Sequence, residues 1–438
     1  LILISKNMEV NFLKLELGYV FIKDIQFSDV SKVENGTLYV NKEAVKALVL
    51  EDQNFKSADV ELAKPGDSVR IMPVKDVIEP RVKVEGPGGI FPGMINKVET
   101  VGSGKTNVLK GAAVVTTGKI VGFQEGIIDM TGLGAEYTPF SKLNNLVLIC
   151  EPVDSLKQHE HEKALRFAGY KVALYLGELA RELTPDEVEV FETPTLIEGL
   201  KQYPALPRVA YVLMLQSQGL MHDTYVYGID AKQSLTTMIY PTEIMDGAIV
   251  SGNCVSACDK NTTYHHLNNP VIHDLYAEHG KTLNFVGVII TNENVYLADK
   301  ERSSNWSAKL AEYLGVDGVI ISEEGFGNPD TDLIMNCKKI ESKGIKTVLI
   351  TDEYAGRDGT SQSLADADAK ADAVVSGGNA NEVIELPPME KIIGHVEVAD
   401  VIAGGFDGSL HKDGSITAEL QVITGATNEM GFNKLSAR

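Results

Sequence analysis

Two cysteines and two histidines lie close together just past the middle of the chain. Cys254 and Cys258 are separated by three residues, and the adjacent pair His265 and His266 follows shortly after. Thiols and imidazoles act as nucleophiles, general bases and metal ligands near neutral pH. This segment is therefore the first place to look for chemistry, and three kinds of site can be built from it.

A zinc site is the first possibility. Zinc binds cysteine thiolates and histidine nitrogens, and the spacing between Cys254 and Cys258 lies within the tolerated range. A structural zinc site normally takes a second pair of ligands from elsewhere in the chain, and the sequence offers no such pair. A redox pair is the second possibility, but it prefers two residues between its cysteines. Spacing alone favours the zinc site.

The third possibility is that the chain itself breaks the bond between Asn253 and Cys254. The thiol of Cys254 can attack the carbonyl carbon of Asn253, which converts the amide into a thioester. β-Elimination then leaves dehydroalanine at this position, and its tautomer hydrolyses to a pyruvoyl group. Gly252 permits unusual backbone dihedrals just upstream. His265 or His266 has a suitable pKa for the base.

Two other motifs favour no chemistry. Residues 102–106 read GSGKT, but a phosphate-binding loop requires glycine at position 99, where the sequence has Glu99. A surface turn is the better interpretation, because β-branched residues follow it instead of a helix. His159 and His161 stand two positions apart on a predicted helix, where they point away from each other. We expect them to belong to a solvated helix start.

Composition limits the function classes. The 438 residues carry a formal net charge of −21, which argues against nucleic acid and against an anionic membrane surface as partners. Four irregularly spaced cysteines do not form a disulfide framework, so we expect a reducing compartment and a cytoplasmic location. No apolar run approaches the roughly 18 residues of a membrane-spanning helix.

The N-terminal part of the sequence predicts a β-rich region. Apolar and β-branched runs at 19–22, 37–40, 47–50 and 68–71 predict short strands. Asn35-Gly36 precedes the second run, and this pair favours a tight hairpin because both central residues need positive φ.

From about residue 143 the pattern changes to alternating strands and helices. Strands are predicted at 146–149, 209–215, 246–250, 285–290, 318–321, 347–350 and 373–375, and a helix at 158–182. Ser303 or Ser304 is expected to cap a second helix, and Asp330 or Thr331 a third. Repeated βαβ units indicate a largely parallel sheet. The expected fold class is therefore mixed α/β, with a β-rich N-terminal region followed by α/β lobes.

The expected division has four parts. Residues 1–7 precede Met8 and are expected to be a non-native leader. The β-rich domain covers 8–142, an α/β region covers 143–253, and an α/β domain covers 254–438. In parallel sheets ligands bind beyond the carboxyl ends of the strands.

Longer stretches of the sequence resemble a known family. Residues 249–266 read IVSGNCVSACDKNTTYHH, and NPVI follows at 269–272. They are similar to the processing site of the component B α/β-subunit precursor of the glycine/sarcosine/betaine reductase family. Further similar segments lie at 15–18, 22–25, 325–330 and 423–429. The resemblance covers nearly the whole chain from Met8.

The resemblance implies that Cys254 becomes a pyruvoyl group, which forms an imine with the amine of a small amino-acid substrate. It also implies two partners, because the sequence contains no selenocysteine: a selenocysteine-containing partner subunit of component B, and selenoprotein A, which carries the product towards acetyl phosphate. No metal is expected. We expect the substrate carboxylate near the loop of Gly325, Gly327 and Asn328, or near Arg357.

Two other function classes stay open at this point. A pyruvoyl-dependent decarboxylase shares the self-cleavage but needs no selenoprotein. A non-catalytic α/β ligand-binding protein with a Cys/His metal site shares neither. Self-cleavage distinguishes the binding protein from both enzymes, and selenoprotein-dependent turnover distinguishes the reductase from the decarboxylase. The sequence does not decide between glycine, sarcosine and betaine as the substrate.

Overall fold

The structure is a computed structural model that describes residues 13–218, 224–252, 261–428, 430 and 436–437. Residues 1–12, which include the expected leader at 1–7, lie outside the described residues. The strands are β1 (Leu13–Phe21), β2 (Asp24–Phe27), β3 (Lys32–Glu34), β4 (Thr37–Val40), β5 (Phe55–Ala63), β6 (Val69–Val74), β7 (Asp76–Ile78), β8 (Arg81–Glu85), β9 (Gly104–Lys110), β10 (Ala112–Gly118), β11 (Gly126–Asp129), β12 (Asn144–Pro152), β13 (Glu187–Thr193), β14 (Arg208–Leu215), β15 (Thr224–Val226), β16 (Ile229–Asp230), β17 (Thr237–Ile239), β18 (Ile249–Ser251), β19 (Asn284–Asn292), β20 (Gly318–Ser322), β21 (Lys346–Glu353), β22 (Val374–Asn379), β23 (Val383–Leu386), β24 (Lys391–Gly394), β25 (Ile416–Glu419) and β26 (Ser436–Ala437).

The α-helices of the same residues are α1 (Lys42–Leu50), α2 (Gly132–Glu136), α3 (Gln158–Glu178), α4 (Leu196–Gln202), α5 (Pro241–Met245), α6 (Thr263–Leu267), α7 (Pro270–Glu278), α8 (Leu297–Leu314) and α9 (Asn328–Glu341). None of the helices that the structure describes is long and apolar enough to cross a lipid bilayer.

The N-terminal part consists mainly of strands, as the sequence indicates. Two four-stranded sheets have the orders β13-β1-β9-β8 and β5-β12-β10-β7, and α3 packs against β7, β8 and β10. The hairpin is confirmed: β3 and β4 pair antiparallel, and Asn35 and Gly36 have φ of 51° and 76°. The strand predicted at 47–50 is wrong. Those residues end helix α1, which begins after Asn41, whose side-chain oxygen accepts from the Ala44 amide at 2.9 Å.

A seven-stranded sheet of order β17-β19-β14-β20-β21-β22-β26 forms the second large element. Its five central strands run parallel, as predicted, and the two edge strands pair antiparallel. Helices α8 and α9 pack against each other and on the sheet. They bury apolar side chains such as Ala308, Leu333 and Ile334 against β14 and β20. The mixed α/β fold class is confirmed.

Several predicted element boundaries are wrong. Helix α8 begins at Leu297, so Ser304 lies inside it, and its hydroxyl donates to the Lys300 carbonyl at 2.6 Å instead of capping the helix. Helix α9 begins at Asn328, so Asp330 lies in its first turn. His161 is buried on α3 and not solvated, and burial lowers its pKa to about 4. The surface turn predicted at 102–106 is only partly right, because residues 104–106 belong to strand β9.

The sheets extend across the sequence positions at which domain boundaries are expected. Strand β12 follows residue 143 but lies between β5 and β10 of the β-rich part. Strand β14, from before residue 253, lies between β19 and β20, which come after it. Strand β24, near the C-terminus, pairs in parallel with β6. The expected segments 143–253 and 254–438 are therefore stretches of chain that share sheets with other segments.

Candidate active site

The segment predicted to be cleaved is described only at its two ends. Strand β18 ends at Ser251, Gly252 follows as a buried residue, and the described chain resumes at Asn261 before helix α6. Asn253, Cys254 and Cys258 lie outside the described residues. What the structure offers is therefore the set of side chains that hold the two ends of this segment.

Buried hydrogen bonds hold the end that precedes the cleavage segment, at the amide and the carbonyl of Ser251. The hydroxyl of Tyr170, on α3, donates to the Ser251 carbonyl, and the Ser251 amide donates to the hydroxyl oxygen of Thr263 at 3.1 Å. Asp76, at the start of β7, accepts from the Thr263 hydroxyl at 2.7 Å and from its amide at 2.9 Å. The backbone two residues before Asn253 is thus fixed by three elements that are distant in sequence.

Asp76 is fully buried and its pKa is abnormal. Burial raises the pKa to about 7, although the Thr263 amide and hydroxyl and the Val77 amide oppose the shift by donating to the carboxylate. The carboxylate can therefore change its protonation state near neutral pH, at a position joined through Thr263 to Ser251.

A second buried carboxylate holds the other end of the segment. Glu324 follows strand β20, and one of its oxygens accepts from the Asn261 amide at 3.1 Å. Its other oxygen accepts from the Gln216 amide at 2.6 Å, just after β14. The Asn428 side chain donates to that of Asn261 at 2.7 Å. The chain therefore resumes at the carboxyl ends of the parallel strands, where the sequence predicts a ligand site.

Carboxylates are crowded at these strand ends. Glu293 follows β19 and accepts from the Glu324 amide at 2.5 Å. Burial and the nearby Glu324 and Glu323 raise the pKa of Glu293 well above its ordinary value. Burial also acts to raise the pKa of Glu324, but His266 and the amides that donate to it outweigh this effect and lower the pKa. Glu293 is thus the group that holds a proton, and Glu324 is the anion.

The two predicted histidines lie on helix α6 in different environments. His265 accepts from the Thr262 amide at 3.1 Å, and burial lowers its pKa to about 3, followed in importance by the nearby His266. The expectation of an ordinary histidine pKa is therefore wrong for His265. The Nε2 atom of His266 lies 3.4 Å from a Glu324 oxygen. Of the two, His266 is placed to work with a carboxylate as a base.

A cavity of about 660 Å³ adjoins Glu324. Gly325 and Asn328 line it, together with Gln216, Gln218 and the loop 401–405. Gly327 lies between the first two, has a φ of 79° that favours glycine, and caps helix α9. Three of the four predicted substrate-binding residues are thus on one loop beside the cavity.

Arg357, the fourth, does not line this cavity. Its guanidinium binds Glu419, a lining residue, at 2.7 Å and stacks over the Phe406 ring at 4.3 Å. Its side chain is 52% exposed. Arg357 therefore holds one wall of the cavity through Glu419.

The described residues contain no candidate metal site, because no three of their His, Cys, Asp or Glu side chains are arranged to hold an ion. The zinc alternative rests on Cys254 and Cys258 and falls outside those residues. The remaining cysteines, Cys150 and Cys337, are buried and free, and burial raises the pKa of Cys150 to about 12. A reactive thiolate at Cys150 is excluded by that shift.

Sequence reasoning missed Asp76, Tyr170 and Glu324. Glu324 lies in the strand-end loop that the sequence marks as a ligand region, so a weak signal existed. Asp76 and Tyr170 gave no signal, because they reach Thr263 and Ser251 across 187 and 81 positions of sequence.

Comparisons with known proteins give a consistent result. A family model described as glycine/sarcosine/betaine reductase component B subunits matches residues 13–438. A protein of Acetoanaerobium sticklandii named glycine reductase complex component B subunits alpha and beta is 73% identical, over 97% of this chain and 100% of its own length. A protein of Peptoclostridium acidaminophilum named sarcosine reductase complex component B subunit alpha is 61% identical, over 97% of this chain and 100% of its own length.

A more distant relative adds a hint about processing. The D-proline reductase proprotein of Acetoanaerobium sticklandii is 24% identical, over 76% of this chain and 54% of its own length. No solved structure matches the chain.

Proposed function

Because the chain belongs to the family of glycine/sarcosine/betaine reductase component B subunits, we propose that it is the substrate-binding subunit of such a reductase and that it cleaves itself between Asn253 and Cys254. Cys254 then becomes a pyruvoyl group. When present, this group supplies an electrophilic carbonyl for the amine of the substrate. Family membership in a reductase component favours this function over a decarboxylase or a non-catalytic binding protein.

The observation that carries the proposal is the pair of buried anchors on either side of the cleavage segment. Tyr170 and Thr263 fix both peptide groups of Ser251, and Glu324 fixes Asn261. Anchors at both ends restrict the conformations of the short segment between them. Restriction of this kind favours an intramolecular reaction, and ideal positioning of the reacting groups lowers a barrier by up to about 7–11 kcal/mol.

The proposed cleavage uses only residues of this chain and water. The sulfur of Cys254 attacks the carbonyl carbon of Asn253, the C–N bond breaks, and the freed amine of Cys254 takes a proton. A base then removes the Cα proton of Cys254, the Cβ–S bond breaks, and the thiocarboxylate of Asn253 leaves. Water replaces the nitrogen at position 254 as ammonia departs.

His266 beside Glu324 is the proposed base, because that carboxylate stabilises an imidazolium. For Gly252 we propose the role of a pliant residue before the bond, and for His265 a structural role.

The substrate is proposed to lie in the cavity beside Glu324, at the loop that contains Gly325, Gly327 and Asn328. Arg357 is proposed to position Glu419 in the wall. Glycine has a primary amine and sarcosine a secondary amine, so both can condense with a carbonyl. Betaine has a quaternary nitrogen and cannot. We therefore propose glycine or sarcosine as the substrate, with acetyl phosphate and an amine as the final products of the complex.

The chain provides the electrophile, so the nucleophile has to come from another protein. We propose a selenocysteine-containing partner subunit of component B, and selenoprotein A as the acceptor of the product. The relatives support an assembly of this kind, since they are named as component B of reductase complexes. A cytoplasmic location, without nucleic acid or membrane as a partner, completes the proposal.

Substituting the two cysteines separately tests the cleavage. We expect Cys254→Ala to stay as one chain, because it lacks the attacking sulfur. The matched variant Cys258→Ser is expected to yield two fragments like the wild type. The readout is denaturing electrophoresis with a carbonyl-specific label on the smaller fragment. Cleavage of Cys254→Ala would refute the assignment, and stoichiometric zinc with loss of fold in both variants would support the metal site instead.

A further inference from the structure

Among the residues that the structure describes, those that line the cavity beside Glu324 include no lysine or arginine. An amino-acid substrate carries a carboxylate, which proteins often bind with a cation. The polar side chains that line this cavity are mainly amides, among them Gln124, Gln216, Gln218 and Gln421. Neutral donors are therefore what the described lining offers to a carboxylate, and two of these amides show which ones are available.

Gln218 has a buried nitrogen atom with no hydrogen-bond partner among the described residues. The orientation of this amide is determined by its neighbour, because the Asn328 nitrogen donates to the Gln218 oxygen. The same Asn328 nitrogen also lies 3.3 Å from the Asn294 carbonyl, so it is the donor in both contacts. The Nε2 group of Gln218 is consequently a fixed donor that lacks an acceptor.

Gln124 shows the complementary feature. Its side-chain oxygen is buried and has no donor among the described residues. The loop that carries it is held by buried Glu125, which accepts from the Val121 amide at 2.6 Å, and by the Gln158 side chain, which donates to the Val121 carbonyl at 2.8 Å. Gln124 is thus an acceptor on a restrained loop. This loop is distant in sequence from the other walls of the cavity, which lie at 216–421.

An unpaired buried polar atom destabilises a protein, so a donor and an acceptor left unpaired in one cavity indicate a ligand that has both kinds of group. A zwitterionic amino acid is such a ligand. Its carboxylate accepts from a donor, and its ammonium group donates to an acceptor.

We propose that Gln218 Nε2 donates to the carboxylate of the amino-acid substrate and that Gln124 Oε1 accepts from its ammonium group, with Asn328 as the positioning residue that orients Gln218. This inference rests on the proposed function and extends it by assigning the contacts. The cavity is much larger than glycine, so space remains for the nucleophile of the partner subunit.

The same substitution at the two glutamines has different expected effects. Gln218→Glu removes the donor and adds a negative charge beside the carboxylate, whereas Gln124→Glu keeps an acceptor and favours the ammonium group. The readout is borohydride fixation of labelled glycine on the fragment that begins at position 254, measured against glycine concentration in the cleaved protein. We expect Gln218→Glu to raise the half-saturating concentration at least tenfold and Gln124→Glu not to raise it. The matched control Gln202→Glu, on an exposed helix end, should not change it.

Ethylamine, which lacks the carboxylate, separates binding from general damage. Its fixation is expected to be the same in Gln218→Glu and the wild type. The inference is overturned if Gln218→Glu fixes glycine as the wild type does, or if ethylamine fixation falls as much as glycine fixation. If Gln218→Glu is not cleaved, Gln218→Met serves, with a smaller expected rise and the same ethylamine comparison. A wild type that is never cleaved refutes the proposed function instead, so the two failures are distinguishable.

Discussion

Buried charges have different partners in the β-rich part and at the ends of the seven-stranded sheet. In the β-rich part, Arg70 binds Asp129 through two hydrogen bonds of 2.7 and 2.8 Å. Arg81 binds Glu79 at 2.9 and 2.6 Å, and Lys110 and Arg81 outweigh burial and lower the pKa of Glu79. These carboxylates have cations as partners and hold the fold together.

At the strand ends three buried carboxylates are neighbours of one another. Glu293 lies beside Glu323 and Glu324, and burial with this like charge raises its pKa. Such an arrangement costs stability, and it is typical of sites that move protons or bind ligands. A buried charge alone therefore does not indicate a functional site. The sign of its neighbours separates a structural pair from a functional cluster.

The largest expected effect is the loss of a structural pair. Arg81→Met removes the cation from buried Glu79 and three further contacts, to the Met245 and Leu267 carbonyls and to Asn268. We expect the free energy of unfolding to fall by about 3–5 kcal/mol, because buried Glu79 loses its hydrogen-bonded cation and keeps only Lys110, at 3.8 Å. Denaturant unfolding measures this.

The double variant Glu79→Leu/Arg81→Met is the control. It removes both charges and is expected to recover the part of the loss that comes from the unpaired carboxylate, while the contacts to the two carbonyls and Asn268 stay lost. If the single and double variants are equally destabilised, the pair does not act as an ion pair and the comparison between the two regions fails.

Asp76 is a third case: it lies in the β-rich part, and burial without an acidic or cationic neighbour among the described residues raises its pKa. Asp76→Asn exchanges an acceptor for a donor opposite Thr263. We expect cleavage to slow by about tenfold, which corresponds to one hydrogen bond of roughly 1.4 kcal/mol. A time course of fragment formation in freshly synthesised chain measures it.

The pH dependence of cleavage and of stability follows from the Asp76 pKa of about 7. Asp76 gains a proton as the pH falls through 7 and then loses an acceptor for Thr263, so wild-type cleavage is expected to slow below pH 7. In the folded state the pKa lies above the ordinary value of 3.8. The wild type should therefore lose unfolding free energy as the pH rises from about 4 to 7, and Asp76→Asn should not. Equal pH profiles for the two proteins would contradict this role.

The sequence predicts the five parallel strands of the seven-stranded sheet but not its edge strands β17 and β26, because buried parallel strands such as β14 and β19 are short apolar runs between turn residues. It fails at α1, where the apolar run 47–50 is read as a strand although Asn41 caps a helix just before it. The strand-end loop with Gly325 and Asn328 was predictable from topology. Asp76, Tyr170 and Gln124 were not, because their contacts depend on tertiary packing between distant segments.

Cleavage is expected to leave the protein assembled. Strand β14, from before the bond, lies between β19 and β20, from after it, and pairs with each over five or more residues. Separation would expose both edges of this buried strand. The two fragments should therefore migrate together until the protein is denatured.

The most direct test is the intact mass of the purified wild-type protein, measured under denaturing and native conditions. Division of the 438 residues and 47.5 kDa after residue 253 predicts fragments of roughly 27 and 20 kDa. The smaller fragment should begin with a keto group in place of its amine, and the native mass should be that of both fragments together. A preparation that supports reductase turnover and contains only the intact chain, with an ordinary cysteine at position 254, would contradict the account.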